Sequence, residues 1–284
     1  PQVPVELTAN IRIHDINLTA EDQQSGRKIG LSEGRFDLAI PNLRSEPVTL
    51  TLASDLTVDG RALPPLGFSL TAENFISEDG TPNPMGATAE MTADLPGTHL
   101  DGGINLQTWE NTLDLTCDLA ALTDAAKPLL PETVAPESTE GAIELSLNTS
   151  GDPTAEVSFE TTLAGSELKI SGGPLEGKPA GPLNFRVVQN GTYLPREEKL
   201  IIGNGELSLL DATRLAWNGE IRDLSKPEKQ VDLAMRDIHL DIAELVGAAR
   251  PFLAEGMSVD FTDPAASPSL TVDSVALAGT VPSG

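Results

Sequence analysis

The sequence predicts a mainly β protein, an antiparallel sheet curled into a U-shaped groove with two short helices. Three observations carry that expectation. Apolar and polar residues alternate with a period of two along most of the 284 residues. Apolar positions are almost all aliphatic, and aromatic residues make up 4% of the chain, few for a closed sandwich of this size. A thirteen-residue segment occurs twice, as DLAALTDAAKPLL from Asp118 and DIAELVGAARPFL from Asp241, with seven identical positions at an offset of 123 residues. Such a recurrence points to a modular, elongated β protein.

The alternating runs begin at Val5, Leu7, Ala9, Ile11 and Ile13, and the phase then slips at Asp15 to Ile16 and Leu18, as a β-bulge allows. Further runs include Phe36, Leu38, Ile40; Val48, Leu50, Leu52; Leu56, Val58; Phe68, Leu70; and Ala89, Met91, Ala93, Leu95. Beyond the first repeat come Ile143, Leu145, Leu147; Val157, Phe159; Phe185, Val187; Leu207, Leu209; Leu215, Trp217; and Val231, Leu233, Met235. Ile238, Leu240; Val259, Phe261; Leu270, Val272; and Val275, Leu277 complete the series, for about twenty strands in all. Turns are expected at Asp59-Gly60, Asp79-Gly80, Asp101-Gly102-Gly103 and Gly151-Asp152-Pro153, and at the Asn-Gly pairs of Asn190, Asn204 and Asn218. Pairs of this kind supply the positive φ angles of tight hairpins. Glu78–Met85, Pro131–Thr139 and Asp263–Ser269 read as loops.

The repeated segments switch to helical spacing, at Leu119, Leu122, Ala126 and at Ile242, Leu245, Ala249. Asp118 and Asp241 are suited to cap helices at about 118–127 and 241–250, Glu244 completes a capping box, and Pro128 and Pro251 end them. The expected role is a lid or plug over a sheet edge or groove end. The expected organisation is a β module over 1–131, a second over 132–254, and the start of a further β segment over 255–284.

Function classes narrow from the charge and from what is missing. Forty-three acidic against eighteen basic residues give a net charge of −25. That disfavours nucleic acid and anionic membrane surfaces as partners. The lone Cys117 sits in an apolar alternation, and His14, His99 and His239 have no metal-ligand spacing. Neither a nucleotide-binding glycine loop nor a G-x-S-x-G elbow is found, so no enzyme, metal or cofactor is expected. No run of about twenty apolar residues is present. The start at Pro1 without methionine suggests a fragment whose targeting segment is left off.

Several segments together resemble the AsmA-like family of Gram-negative envelope proteins. They are Ile16–Thr19 with Ser25–Lys28 and Gly34–Leu38, then Leu113–Leu115 with the Asp118 helix, Leu129–Pro131 and Gly141–Leu145, and finally Val231–Leu233 with Asp241–Leu253. The patterns are degenerate but cover most of the chain. The resemblance implies a periplasmic region tethered to the inner membrane by an N-terminal helix that this sequence lacks. It also implies a β-groove related to those of bridge-like lipid transfer proteins, serving envelope biogenesis. The expectation is a non-enzymatic phospholipid conduit whose acyl chains lie against Ile11, Ile13, Phe36, Leu38, Leu50, Leu52, Leu145, Leu147, Phe159, Leu207, Leu209 and Leu233. The competing readings are a scaffold for outer-membrane protein assembly with a dry β core, and an adhesin-like pair of closed sandwiches.

Overall fold

The computed structural model of the chain describes residues 8–23, 26–42, 46–77, 81–130, 134–175, 179–252 and 268–282. The expected runs at Val5 and Leu7 and at Val259 and Phe261, and the turn at Asp79-Gly80, lie outside them. The chain forms two compact units, Pro1–Leu130 and Pro131–Gly284. Both are mainly β with antiparallel strands, and each contains one of the two short helices.

The first unit holds β1 (Ala9–Glu21), β2 (Lys28–Ile40), β3 (Val48–Val58), β4 (Arg61–Glu73), β5 (Thr88–Leu95), β6 (Thr98–Asn105) and β7 (Glu110–Asp118), each hydrogen-bonded to the next in chain order. The second holds β8 (Pro136–Asp152), β9 (Glu156–Gly172), β10 (Ala180–Leu194), β11 (Lys199–Leu209), β12 (Thr213–Arg222), β13 (Glu228–Asp241) and β14 (Ser269–Pro282), again in chain order. Consecutive pairing of neighbours is the simplest way for hairpins to satisfy backbone donors and acceptors locally.

Among the described residues fourteen strands replace the twenty or so runs, because several runs share one strand. Val48–Leu52 and Leu56–Val58 are both β3, where the register with β4 shifts between Ser54 and Leu56. Val231–Met235 and Ile238–Leu240 are both β13, bent at Asp237, which has φ 52°. The slip at Asp15 is a register shift with φ 60° at that residue. A bulge changes the phase of alternation without ending the strand, so it mimics a turn in the sequence. The segment expected as a loop at Pro131–Thr139 also gives way, because β8 begins at Pro136.

Four Asx-Gly sites expected as turns lie inside strands: Asp101-Gly102-Gly103 in β6, Asn190-Gly191 in β10, Asn204-Gly205 in β11 and Asn218-Gly219 in β12. Asp59-Gly60 is a turn, between β3 and β4, with both residues at positive φ. In the four strand sites the glycine is demanded by a close neighbour rather than by turn geometry. A Cβ at Gly102 would press on Met91, at Gly205 on Trp217, at Gly191 on the Ile201 carbonyl and Phe159, and at Gly219 on the Asp232 carbonyl and Leu233.

The repeated segments are α1 (Leu119–Ala126) and α2 (Ile242–Ala249), each running on into a 3-10 turn, Lys127–Leu129 and Arg250–Phe252. Asp118 accepts from the Ala120 and Ala121 amides at 2.9 and 3.0 Å, and Asp241 from the Glu244 amide at 2.9 Å. The capping box does not close. Glu244 instead accepts from the Ala212 amide at 3.1 Å, and the Asp241 amide donates to the Thr213 hydroxyl at 3.1 Å. The β11–β12 turn offers Glu244 a donor with no strand partner, so its carboxylate ties α2 to the sheet.

Each helix roofs one end of its own sheet. The Asp118 amide donates to the Gly97 carbonyl at 2.7 Å, so α1 starts against the β5–β6 turn. Gly97 has φ 72°, and a Cβ there would run into the backbone of Leu122. At the far end of the helical stretch the Leu130 carbonyl accepts from Arg27, beside the start of β2, at 3.0 Å. The buried helix residue is Ala125, whereas Leu122, expected on the covered face, is 38% exposed. Small side chains bring the helix backbone close to the turn and leave the leucine outside.

Replacing Asp118 with alanine should lower unfolding free energy by about 1 kcal/mol. Gly97→Ala should cost more, because a methyl group would meet helix backbone and the native φ is left-handed. Urea unfolding of both variants followed by circular dichroism measures the difference.

Candidate functional site

Residues directly opposed in an antiparallel ladder share a face, so the registers define what each face presents. In the first unit one row across seven strands is Ile11, Leu38, Leu50, Leu70, Met91, Gly102 and Leu113. The next is Ile13, Phe36, Leu52, Phe68, Ala93, Leu100 and Leu115. On the opposite face the row through Arg12 continues as Asp37, Thr51, Ser69, Thr92, Asp101 and Asp114. The sheet of this unit is aliphatic on one side and polar, rich in Thr, Ser and Asp, on the other.

The second unit repeats the arrangement with more variety. Leu145, Leu163, Val187, Leu207 and Leu215 form one row. Phe159, Gly191, Ile202, Gly219, Leu233 and Leu277 form another, alternating large with small. Leu147 opens a row through Thr161, Gln189, Gly205 and Trp217, so two polar side chains interrupt the aliphatic surface there. Leu209 stands in the row of Gly165 and Phe185. Within each unit the nominated residues therefore share one face: Ile11, Ile13, Phe36, Leu38, Leu50 and Leu52 in the first, and Leu145, Leu147, Phe159, Leu207, Leu209 and Leu233 in the second.

No second layer seals these faces among the described residues. Ile13 is 50% exposed, Leu52 40% and Leu277 56%. The buried side chains are few and mostly small, and several mark the helix ends of the sheets: Val58, Cys117 and Ala125 in the first unit, Ala180 and Thr213 in the second.

In the first unit the apolar face is concave. Strands β1 to β5 enclose an open trough of about 520 Å³, lined by fifteen residues of which only Arg35 and Ser54 have polar side chains. Ile13, Phe36 and Leu52 line it, while Ile11, Leu38 and Leu50 lie one row further along the same face. Ile16, Leu18, Leu31, Leu66, Phe68 and Leu95 also line it and were not singled out from the sequence. The signal that would have found them is cross-strand register, since Leu18 opposes Leu31 and Leu52 opposes Phe68. The bulges at Asp15 and Glu33 hide that register in a one-dimensional reading.

Titratable chemistry lies on the other face. His99 is held between two carboxylates, Nδ1 at 2.6 Å from Asp94 Oδ1 and Nε2 at 2.7 Å from Asp101 Oδ2. Its pKa is raised, first by the hydrogen bond to Asp94 and then by that to Asp101. Only the imidazolium form donates through both nitrogens. His14 approaches Asp37 at 3.8 Å, and the His239 ring lies 3.2 Å from the Thr271 hydroxyl. Among the described residues no three His, Cys, Asp or Glu side chains are grouped to hold a metal ion. No described helix is long and apolar enough to cross a membrane. Comparison of the chain with protein-family models, with curated proteins and with solved structures finds no match.

The raised His99 pKa favours the folded state below the unfolded histidine pKa, and that contribution is lost as pH rises through the folded value. An NMR titration should place His99 above the ordinary histidine value, and Asp94→Asn should move it back down. An unchanged His99 titration in that variant contradicts the clamp.

Proposed function

We propose that this chain is a periplasmic AsmA-like region that carries phospholipids between the inner and outer membranes, in a protein tethered to the inner membrane. The observation that carries the reading is the uncovered aliphatic face, concave in the first unit and continuous over all seven of its strands. A trough of this size falls in the ~300–1,000 Å³ range of small-molecule sites. A lining of branched and linear hydrocarbon with almost no hydrogen-bonding groups suits acyl chains, which need shelter from water and no specific partner. Headgroups remain in solvent at the open side. A net charge of −25 disfavours nucleic acids and anionic surfaces as alternative ligands.

The reading is non-enzymatic, with the residues acting as a continuous slide in which no single side chain is essential. A dry-cored scaffold for outer-membrane protein assembly would be expected to bury its aliphatic residues, and the exposure of Ile11, Ile13 and Leu52 weighs against it.

Phospholipid retained by the purified chain, read by native mass spectrometry, should disappear on Leu52→Asp and persist on Leu52→Ala. Leu145→Asp and Leu207→Asp should act likewise in the second unit. Charged variants that hold and transfer lipid as well as the parent would sink the proposal.

A further inference from the structure

Three strand glycines face a large side chain directly across the ladder on the apolar side. Gly205 opposes Trp217, Gly165 opposes Phe185, and Gly102 opposes Met91. A Cβ on Gly205 would coincide with the indole, and one on Gly165 would fall on the Phe185 ring. One on Gly102 would lie 2.7 Å from Met91 Cε. In the Trp217 and Phe185 pairs the ring itself occupies the space that a Cβ on the opposing residue would need, and in the Met91 pair the terminal methyl reaches into it. Each large group therefore lies along the sheet, over its glycine, rather than standing away from it.

On its second side Trp217 is flanked by Met235, and Phe185 by Leu209. If the glycine gained a side chain, the ring would have to rise off the sheet into the space above the apolar face. The hollows cost backbone freedom and packing, since glycine weakens a strand interior. Covering a strand glycine with a cross-strand aromatic is a known stabilising device. Here it also governs how far the lining projects.

We infer that Gly205, Gly165 and Gly102 set how far the lining rises above the apolar face of their own unit: by seating Trp217, Phe185 and Met91 flat, they keep it low enough for an acyl chain to lie across it. The inference rests on the lipid-carrying reading.

Trp109→Phe leaves Trp217 as the sole tryptophan. In that background the 284-residue chain is incubated with palmitoyl-oleoyl phosphatidylcholine vesicles, and bound lipid is counted by native mass spectrometry. Gly205→Ala should load several-fold less lipid, with Trp217 emission shifted to the red and more open to acrylamide. Adding Trp217→Ala to Gly205→Ala should restore loading, because the obstruction is then removed even though the hollow is still filled. A purely stabilising role predicts the opposite, with the double variant no better than the single one, and that result overturns the inference. Equal loading by Gly205→Ala and the parent overturns it too. Gly165→Ala with and without Phe185→Ala repeats the test at a second pair if Gly205→Ala does not fold. A parent that loads no lipid refutes the lipid-carrying reading instead. The acrylamide measurement then still decides the seating, which fails if Gly205→Ala leaves Trp217 accessibility unchanged.

Discussion

Everything in this fold answers to an aliphatic sheet face in each unit that no second layer covers among the described residues. Burying a leucine or isoleucine fully is worth about 1.5–3 kcal/mol, and residues such as Ile11, Ile13 and Leu277 forgo a large part of that. Stability has to come from elsewhere. Long strands supply part of it, with β8 and β9 each seventeen residues and paired along nearly their whole length. Lateral contact supplies more, because most apolar residues in a row lie beside a like residue on a neighbouring strand. Curling the first unit shelters the central rows further, and each helix covers one end of its own unit's strands.

The two faces divide the chemical labour. Threonine, serine and acidic side chains keep the outer face wet, with local pairings such as Ser69 to Thr92 at 2.6 Å and the His99 clamp tying neighbouring strands together. The inner face holds almost no groups that could fix a particular ligand. Such a surface discriminates by shape and continuity, which is why the position of each large side chain matters more than its identity. The seated rings of Trp217 and Phe185 and the alternation of Phe159, Gly191, Ile202, Gly219 and Leu233 are expressions of the same requirement.

Alternation of apolar and polar residues was enough to read the mainly β class, because one wet face and one dry face force a period of two. The helices were equally legible, since Asp caps and prolines act within a few residues of sequence. What escaped depends on neighbours distant in sequence. Asn190-Gly191 and Asn204-Gly205 look like hairpin turns, yet their glycines answer to Phe159 and the Ile201 carbonyl and to Trp217 on adjacent strands. Glu244 fits a capping box locally, but the Ala212 amide lies within its reach. The trough lining past Asp15 and Glu33 was hidden because each bulge re-phases one strand against the next.

Strand register also sets rules for how such a chain can change length. Between Phe68 and Leu70, both on the apolar face, one residue separates two rows. Deleting it would send every later residue of β4 to the opposite side, putting Thr71 and Glu73 on the apolar face and Leu70 into water. Insertions of two residues, or of an entire hairpin, preserve parity. A protein built this way is free to grow or shrink by whole strands, whereas a single-residue change needs a bulge to restore the phase, so its length is quantised in units of structure rather than of sequence.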